Sequence, residues 1–178
     1  MIKKSKHYFT KVIIYIFVVS LLTGCGIYSF TGASLHPKDK TVEVKFFSNR
    51  ATLINPSLSQ NFTEALKDKF ISQTSLELVD NFADLTFSGE ITDYRTSPVS
   101  ITGGGSAGTE KAEYNRLTVT VRVKYVSVNN EDFSFDKSFS RFADYTSDKL
   151  LTDVEGELIT QIIEELTDDI FSKAVVNW

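Results

Sequence analysis

The stretch Asn115–Val128 alternates apolar and polar side chains more strictly than any other part of this chain. Leu117, Val119, Val121, Val123 and Tyr125 fall on one side, and Thr118, Thr120, Arg122 and Lys124 on the other. A period of two sends successive side chains to opposite faces of a pleated strand. The segment therefore calls for a sheet with one dry face and one wet face. Three further runs and one short one can supply its partners. Thr41–Phe47 places Val42, Val44 and Phe46 against Thr41, Glu43 and Lys45, Asp84–Tyr94 alternates Leu85, Phe87, Gly89 and Ile91, and Leu76–Val79 is a short candidate. Phe133–Phe142 carries Phe133, Phe135 and Phe139 on one side with Lys137. The step to Phe142 breaks that period and predicts a bulge near Arg141. Asn129-Asn130, between the two long runs, predicts a hairpin turn.

Two segments follow the helical period instead. Leu58, Phe62, Ala65, Leu66 and Phe70 form a stripe at steps of three and four, with Lys67 and Lys69 turned away and the helix ending near Gln73. Pro56 stands at its start, and Ser57-Leu-Ser-Gln60 has capping-box spacing, with Ser59 as the alternative cap. From Thr152 to Val175, Val154, Leu158, Ile162, Leu166, Ile170 and Ala174 form a second stripe flanked by Ile159 and Ile163. Asp153, Glu155 and Glu157 crowd its first turns, where the helix dipole favours acids. Strand, helix, several strands, helix, each with a single apolar face, predicts an α+β fold. Its two amphipathic helices pack on one face of a four- to five-stranded, mostly antiparallel sheet, and the other face is wet or covered by a partner.

The N-terminus carries an address. Lys3, Lys4, Lys6 and Lys11 precede the eleven residues Val12–Leu22, and then comes Leu22-Thr-Gly-Cys25. A spanning helix needs about 20 apolar residues, whereas a signal-peptide core runs about 7–15. The Leu-Thr-Gly-Cys sequence resembles the bacterial lipoprotein box, in which the cysteine is lipidated and becomes the mature N-terminus. The competing reading is an uncleaved signal anchor with an incidental cysteine. Gly26 in place of an acid after Cys25 leans towards the outer membrane. The expected organisation is a signal peptide over 1–24, a lipidated tether over 25–40, and a single domain over 41–178.

Charge and chemistry narrow the function. Removing the four lysines of residues 1–24 from the 19 basic residues leaves 15 against 23 acidic ones, a net charge of −8 for residues 25–178. That balance disfavours nucleic acid as a partner, because such binding rests on neutralising phosphates. Cys25 is the one cysteine, so the chain has no internal disulfide and no cysteine metal cluster. The mature segment has one histidine, His36, placed in the tether, and no visible base for nucleophilic catalysis. Glu164, Glu165, Asp168 and Asp169 read as a solvated helix face. Gly103-Gly-Gly-Ser-Ala-Gly108 matches G-x-G-x-x-G in letters alone, since a strand rather than a helix follows it. It reads as a hairpin loop. No cofactor, no metal and no enzymatic activity are expected.

Several segments resemble one family. Leu22-Thr-Gly-Cys-Gly-Ile-Tyr-Ser-Phe-Thr-Gly32, Asn55–Phe70, Asn115-Arg-Leu-Thr-Val119 and Ala174-Val-Val-Asn-Trp178 are similar to the lipopolysaccharide-assembly lipoproteins (LptE-like) across nearly the whole mature chain. The resemblance implies two helices on a small sheet and no catalysis. It also implies a place inside the outer-membrane β-barrel LptD, with which such proteins deliver lipopolysaccharide to the outer leaflet. A domain of 154 residues has a radius of gyration of about 15 Å, a size suited to plugging a barrel of more than about 20 strands. A barrel lumen is polar, so Thr118, Thr120, Arg122 and Lys124, with Arg116, are the candidate contacts to barrel or lipopolysaccharide. The alternative is the solvated face of a one-sided sheet. Some family members bind lipopolysaccharide through a basic patch. Arg95, Arg116, Arg122, Lys124, Lys137 and Arg141 could meet phosphate here, although the domain is acidic overall. Tyr28, Phe30 and Trp178 could lie at a membrane or barrel interface. A different class of function also fits: a periplasm-facing lipoprotein that binds a small amphiphile or cell-wall component by itself.

Overall fold

The computed structural model describes residues 35–53, 55–101 and 112–175. The readings on the signal peptide, Cys25, Tyr28, Phe30, the glycine tract and Trp178 lie outside these residues. In chain order the elements are β1 (Thr41–Val44), β2 (Ser48–Asn49), α1 (Leu58–Gln73), β3 (Glu77–Leu78), β4 (Leu85–Ile101), β5 (Ala112–Ser127), a 3₁₀ turn (Glu131–Phe133), β6 (Phe135–Thr146) and α2 (Leu151–Val175).

The fold is α+β, as the alternation and the two stripes predict, but the sheet is mixed and has six strands. Its order is β3-β1-β4-β5-β6, with β2 also pairing β4. The long strands β4, β5 and β6 form an antiparallel meander, whereas β1 runs parallel to both β3 and β4, and β2 runs parallel to β4. The parallel part follows from connectivity. β1, α1 and β3 form a βαβ unit, whose crossover helix returns the chain in the starting direction.

Both stripes face one side of the sheet. Leu58, Phe62, Leu66 and Phe70 of α1 are buried, as are Leu158, Ile162, Leu166 and Ile170 of α2. They pack on Val42, Leu85, Phe87, Ile91, Leu117, Val119, Val121, Val123 and Tyr125. A row of rings crosses this core. Phe70 lies 4.6 Å from Phe87, Phe87 4.7 Å from Tyr125, and Tyr125 5.2 Å from Phe135. Phe87, Tyr125 and Phe135 stand side by side in the ladder, where cross-strand aromatic pairs stabilise a sheet. No helix among the described residues is long and apolar enough to cross a membrane.

Five local expectations are corrected. First, β5 and β6 pair without a register shift from Tyr114↔Thr146 to Tyr125↔Phe135, so there is no bulge near Arg141. Phe142 lies on the wet face because Phe139 and Ala143 hold the dry one. Second, the bulge falls in β4, between Ile91 and Asp93. It hides the alternation beyond Ile91 and so conceals the strand's extension to Ile101. Pro98 is tolerated there because β1 and β2 pair β4 only as far as Ile91, leaving no neighbour on that side among the described residues.

Third, Val44 pairs Phe87 while Ser48 pairs Glu90, which leaves one extra residue on the β1–β2 side. That insertion turns Phe46 out to solvent and Phe47 into the core. A Cβ built on Gly89 would lie 2.7 Å from the Phe47 ring and 2.0 Å from the Arg122 carbonyl oxygen. Gly89 is thus the residue that lets Phe47 seat. Fourth, Ser57 makes no side-chain cap on α1. Instead its N–H and hydroxyl both donate to Asn55 Oδ1, at 3.0 and 2.8 Å. Fifth, the connection from β5 to β6 is longer than a tight hairpin, because the 3₁₀ turn follows Asn129-Asn130.

Candidate interaction face

The sheet face turned away from the helices carries all five candidate side chains. Arg116, Thr118, Thr120, Arg122 and Lys124 recur at every second position of β5. They are flanked by Ser97, Arg95, Asp93, Glu90 and Ser88 of β4 and by Asp144, Phe142, Ser140, Ser138 and Asp136 of β6. Most of these groups are engaged within the face. The Arg116 guanidinium donates from Nε and Nη2 to the two Asp144 carboxylate oxygens at 2.7 and 2.8 Å, and it stacks 3.6 Å from the centre of the Phe142 ring. Arg122 makes the same forked contact with Asp136, at 2.8 and 2.9 Å. Thr120 Oγ1 shares a 3.0 Å hydrogen bond with Ser140 Oγ.

Thr118 departs from expectation. It is only 8% exposed, because Arg95 and Phe142 flank it in the ladder. It is a floor under larger side chains rather than a free contact. Lys124 is exposed and stands opposite Asp136.

The electrostatics follow from the pairing. Hydrogen bonding to Arg122 holds the Asp136 carboxyl below its ordinary value, with further help from the charges of Arg122 and Lys124. Hydrogen bonding to Arg116 does the same for Asp144. Among described side chains on this face of β4–β6, Arg95, Arg116, Arg122 and Lys124 balance Glu90, Asp93, Asp136 and Asp144. The face is polar, charged and neutral in sum. Its planar forks are already filled by carboxylates, so a phosphate would have to displace Asp136 or Asp144 to be bound bidentately.

The remaining expected cations lie elsewhere. Lys137 and Arg141 occupy the helix side of edge strand β6. Arg141 donates to both Asp169 carboxylate oxygens at 2.6 Å and lies 4.0 Å from Glu165. Lys69 of α1 pairs with Asp168 of α2. The acidic cluster of α2 is therefore not simply solvated, since it fastens the helix to both of its neighbours. A period-based reading misses this because 3.6-residue spacing assigns these acids a side of the helix, not a partner. His36 is half-buried in a turn, where its N–H donates to Asp39 Oδ2 at 3.0 Å. Among the described residues, no three His, Cys, Asp or Glu side chains converge as metal ligands.

A helical layer on one side of a mixed sheet, with a charge-balanced polar face left open on the other among the described residues, defines a two-layer domain of the α+β class. The sequence matches the lipopolysaccharide-assembly family LptE over residues 40–174, and the chain belongs to that family. Membership places it among the proteins of lipopolysaccharide assembly in the cell envelope. No curated protein matches the sequence significantly. Among solved structures, protein CT253 from Chlamydia trachomatis is similar in fold, with a TM-score of 0.50 and 12% identity over 78% of this chain and 99% of that one. A minor lipoprotein from Acinetobacter baumannii aligns with a TM-score of 0.48 and 12% identity, over 76% of this chain and 93% of that one.

Proposed function

We propose that this chain is a non-catalytic outer-membrane lipoprotein, anchored through Cys25, that occupies the lumen of the LptD barrel and assists it in delivering lipopolysaccharide to the outer leaflet. Residues 1–24 are its signal peptide, 25–40 its tether and 41–178 its working domain. The observation that carries this reading is the open face of β4–β6. Its hydroxyls and paired charges sum to neutrality, which suits the polar wall of a barrel lumen better than bulk lipid. The family match supports the lipopolysaccharide role. The filled arginine forks favour contact with a protein wall over tight phosphate binding.

The groove between α1 and α2, about 450 Å³, is open and lined by residues such as Asn61, Lys69, Gln73 and Glu164. It does not offer the enclosed apolar chamber that an amphiphile carrier uses. The test is copurification of an outer-membrane barrel with the tagged chain. Replacing Thr120 with Glu together with Arg122→Glu, which puts one acid beside Asp93 and another beside Asp136, should abolish it while the protein stays folded. Undiminished copurification would show that this face is merely solvated.

A further inference from the structure

Three separated segments meet at one end of the sheet, and Asp84 joins them. The incoming chain is held there, since the N–H groups of Lys40 and Thr41 donate to Asp84 Oδ2 at 2.8 and 3.0 Å and the Thr41 hydroxyl adds a third contact at 3.0 Å. The turn after β5 is held there too, with the Val128 N–H donating to the Asp84 carbonyl at 2.9 Å. Two residues before Asp84, at the tip of the β3–β4 loop, stands Phe82. Its ring is fully exposed, and its backbone lies in the left-handed region at φ 58°. A bulky residue is rarely kept in that region, and such outliers cluster at functional sites. Val128, on the neighbouring turn, is 65% exposed. An aromatic and an aliphatic side chain thus project from the end where the tether enters.

We propose that the Phe82 loop, with Val128, is a membrane-docking tip that inserts into a zwitterionic lipid surface. The inference rests on the lipoprotein reading of Cys25. Ten Cα–Cα steps lead from Cys25 to Leu35 and span at most about 35 Å when extended. The 16-residue strand β5 carries the opposite end roughly 50 Å further off. The anchor therefore keeps the Phe82 end within about 35 Å of the bilayer, whereas the Leu150 end is free to lie much further away. Phe is among the side chains that bury themselves at the boundary between headgroups and acyl chains. The charges favour a zwitterionic lipid: Asp80 and Asp84 flank Phe82 in sequence and Glu131 and Asp132 follow Val128, so the acids at this end outnumber Lys38 and Lys40 and disfavour an anionic surface.

The test uses the full lipidated chain with Trp178→Phe, so that Phe82→Trp introduces the one tryptophan. It is reconstituted on phosphatidylcholine–phosphatidylethanolamine vesicles with shallowly brominated lipids. The expected result is emission shifted to shorter wavelength and quenched severalfold more than in a Leu150→Trp control, with weaker quenching when phosphatidylglycerol is added. Water-like, unquenched emission from a chain that still partitions to vesicles overturns the docking tip and leaves the lipoprotein reading intact. If mass spectrometry finds Cys25 bare and the chain stays in solution, the anchor reading fails and the docking tip fails with it. Quenching equal at positions 82 and 150 also overturns the proposal.

Discussion

Gly89 and Phe82 are the two positions where backbone and side chain are most at odds. Gly89 has no room for a methyl group, because both the Phe47 ring and the Arg122 carbonyl stand inside contact distance of a Cβ. Gly89→Ala should therefore destabilise the fold by about 1–3 kcal/mol, read as a lowered urea midpoint at unchanged m-value. Because the nearer obstacle is backbone, trimming Phe47 should not rescue it. Phe82 poses the converse case, a residue whose conformation costs energy with no packing in return. A left-handed non-glycine residue costs on the order of 1–3 kcal/mol, and asparagine tolerates the region better, so Phe82→Asn should raise stability by up to about 1 kcal/mol. A lowered midpoint would show that the ring has a partner. Neither position stands out in the sequence. Gly89 sits in an alternating run like any strand residue, and Phe82 reads as one more apolar side chain near a strand start.

At the scale of elements, the sequence carried the helices and the central strand well and the junctions poorly. The two stripes locate α2 to within a residue and the end of α1 at Gln73, with its start left between the Ser57 and Ser59 caps, since burial on one side imposes a period over four or more turns. Strict alternation locates β5 and separates its faces for the same reason. What escaped were single-residue insertions: one in β4 after Ile91, another between β1 and β2. A slip of one residue inverts every later side chain, so a reader of alternation stops at the bulge. The candidate site was legible as a face but not as a network. Asp136 and Asp144, the partners of Arg122 and Arg116, lie on another strand, and only the register reveals them.

The junction at Asp84 lends itself to a pH experiment. Hydrogen bonds from the Lys40 and Thr41 backbone and the Thr41 hydroxyl hold its carboxyl below the ordinary value of 3.8. A lowered folded-state value means that its stabilisation is complete above about pH 4. It is lost as pH falls through the folded value. Asp84→Asn should lower stability at neutral pH and flatten the decline below about pH 4. An unchanged acid limb would mean that the carboxylate does not tie β1 to β4 energetically.

The described residues present surfaces of different character: a helical layer, a charge-balanced sheet face and, near Leu35, the exposed Phe82 and Val128. Their arrangement suits a module held at a bilayer by one end and enclosed around its polar sheet. The family establishes lipopolysaccharide assembly as the setting. Enclosure by a barrel is tested by mild detergent extraction from native envelopes. Purification of the tagged, lipidated chain should yield a stoichiometric complex with one large outer-membrane barrel protein, identified by mass spectrometry. Recovery of the chain as a stable lipidated monomer, with no barrel attached, would mean that no barrel encloses it.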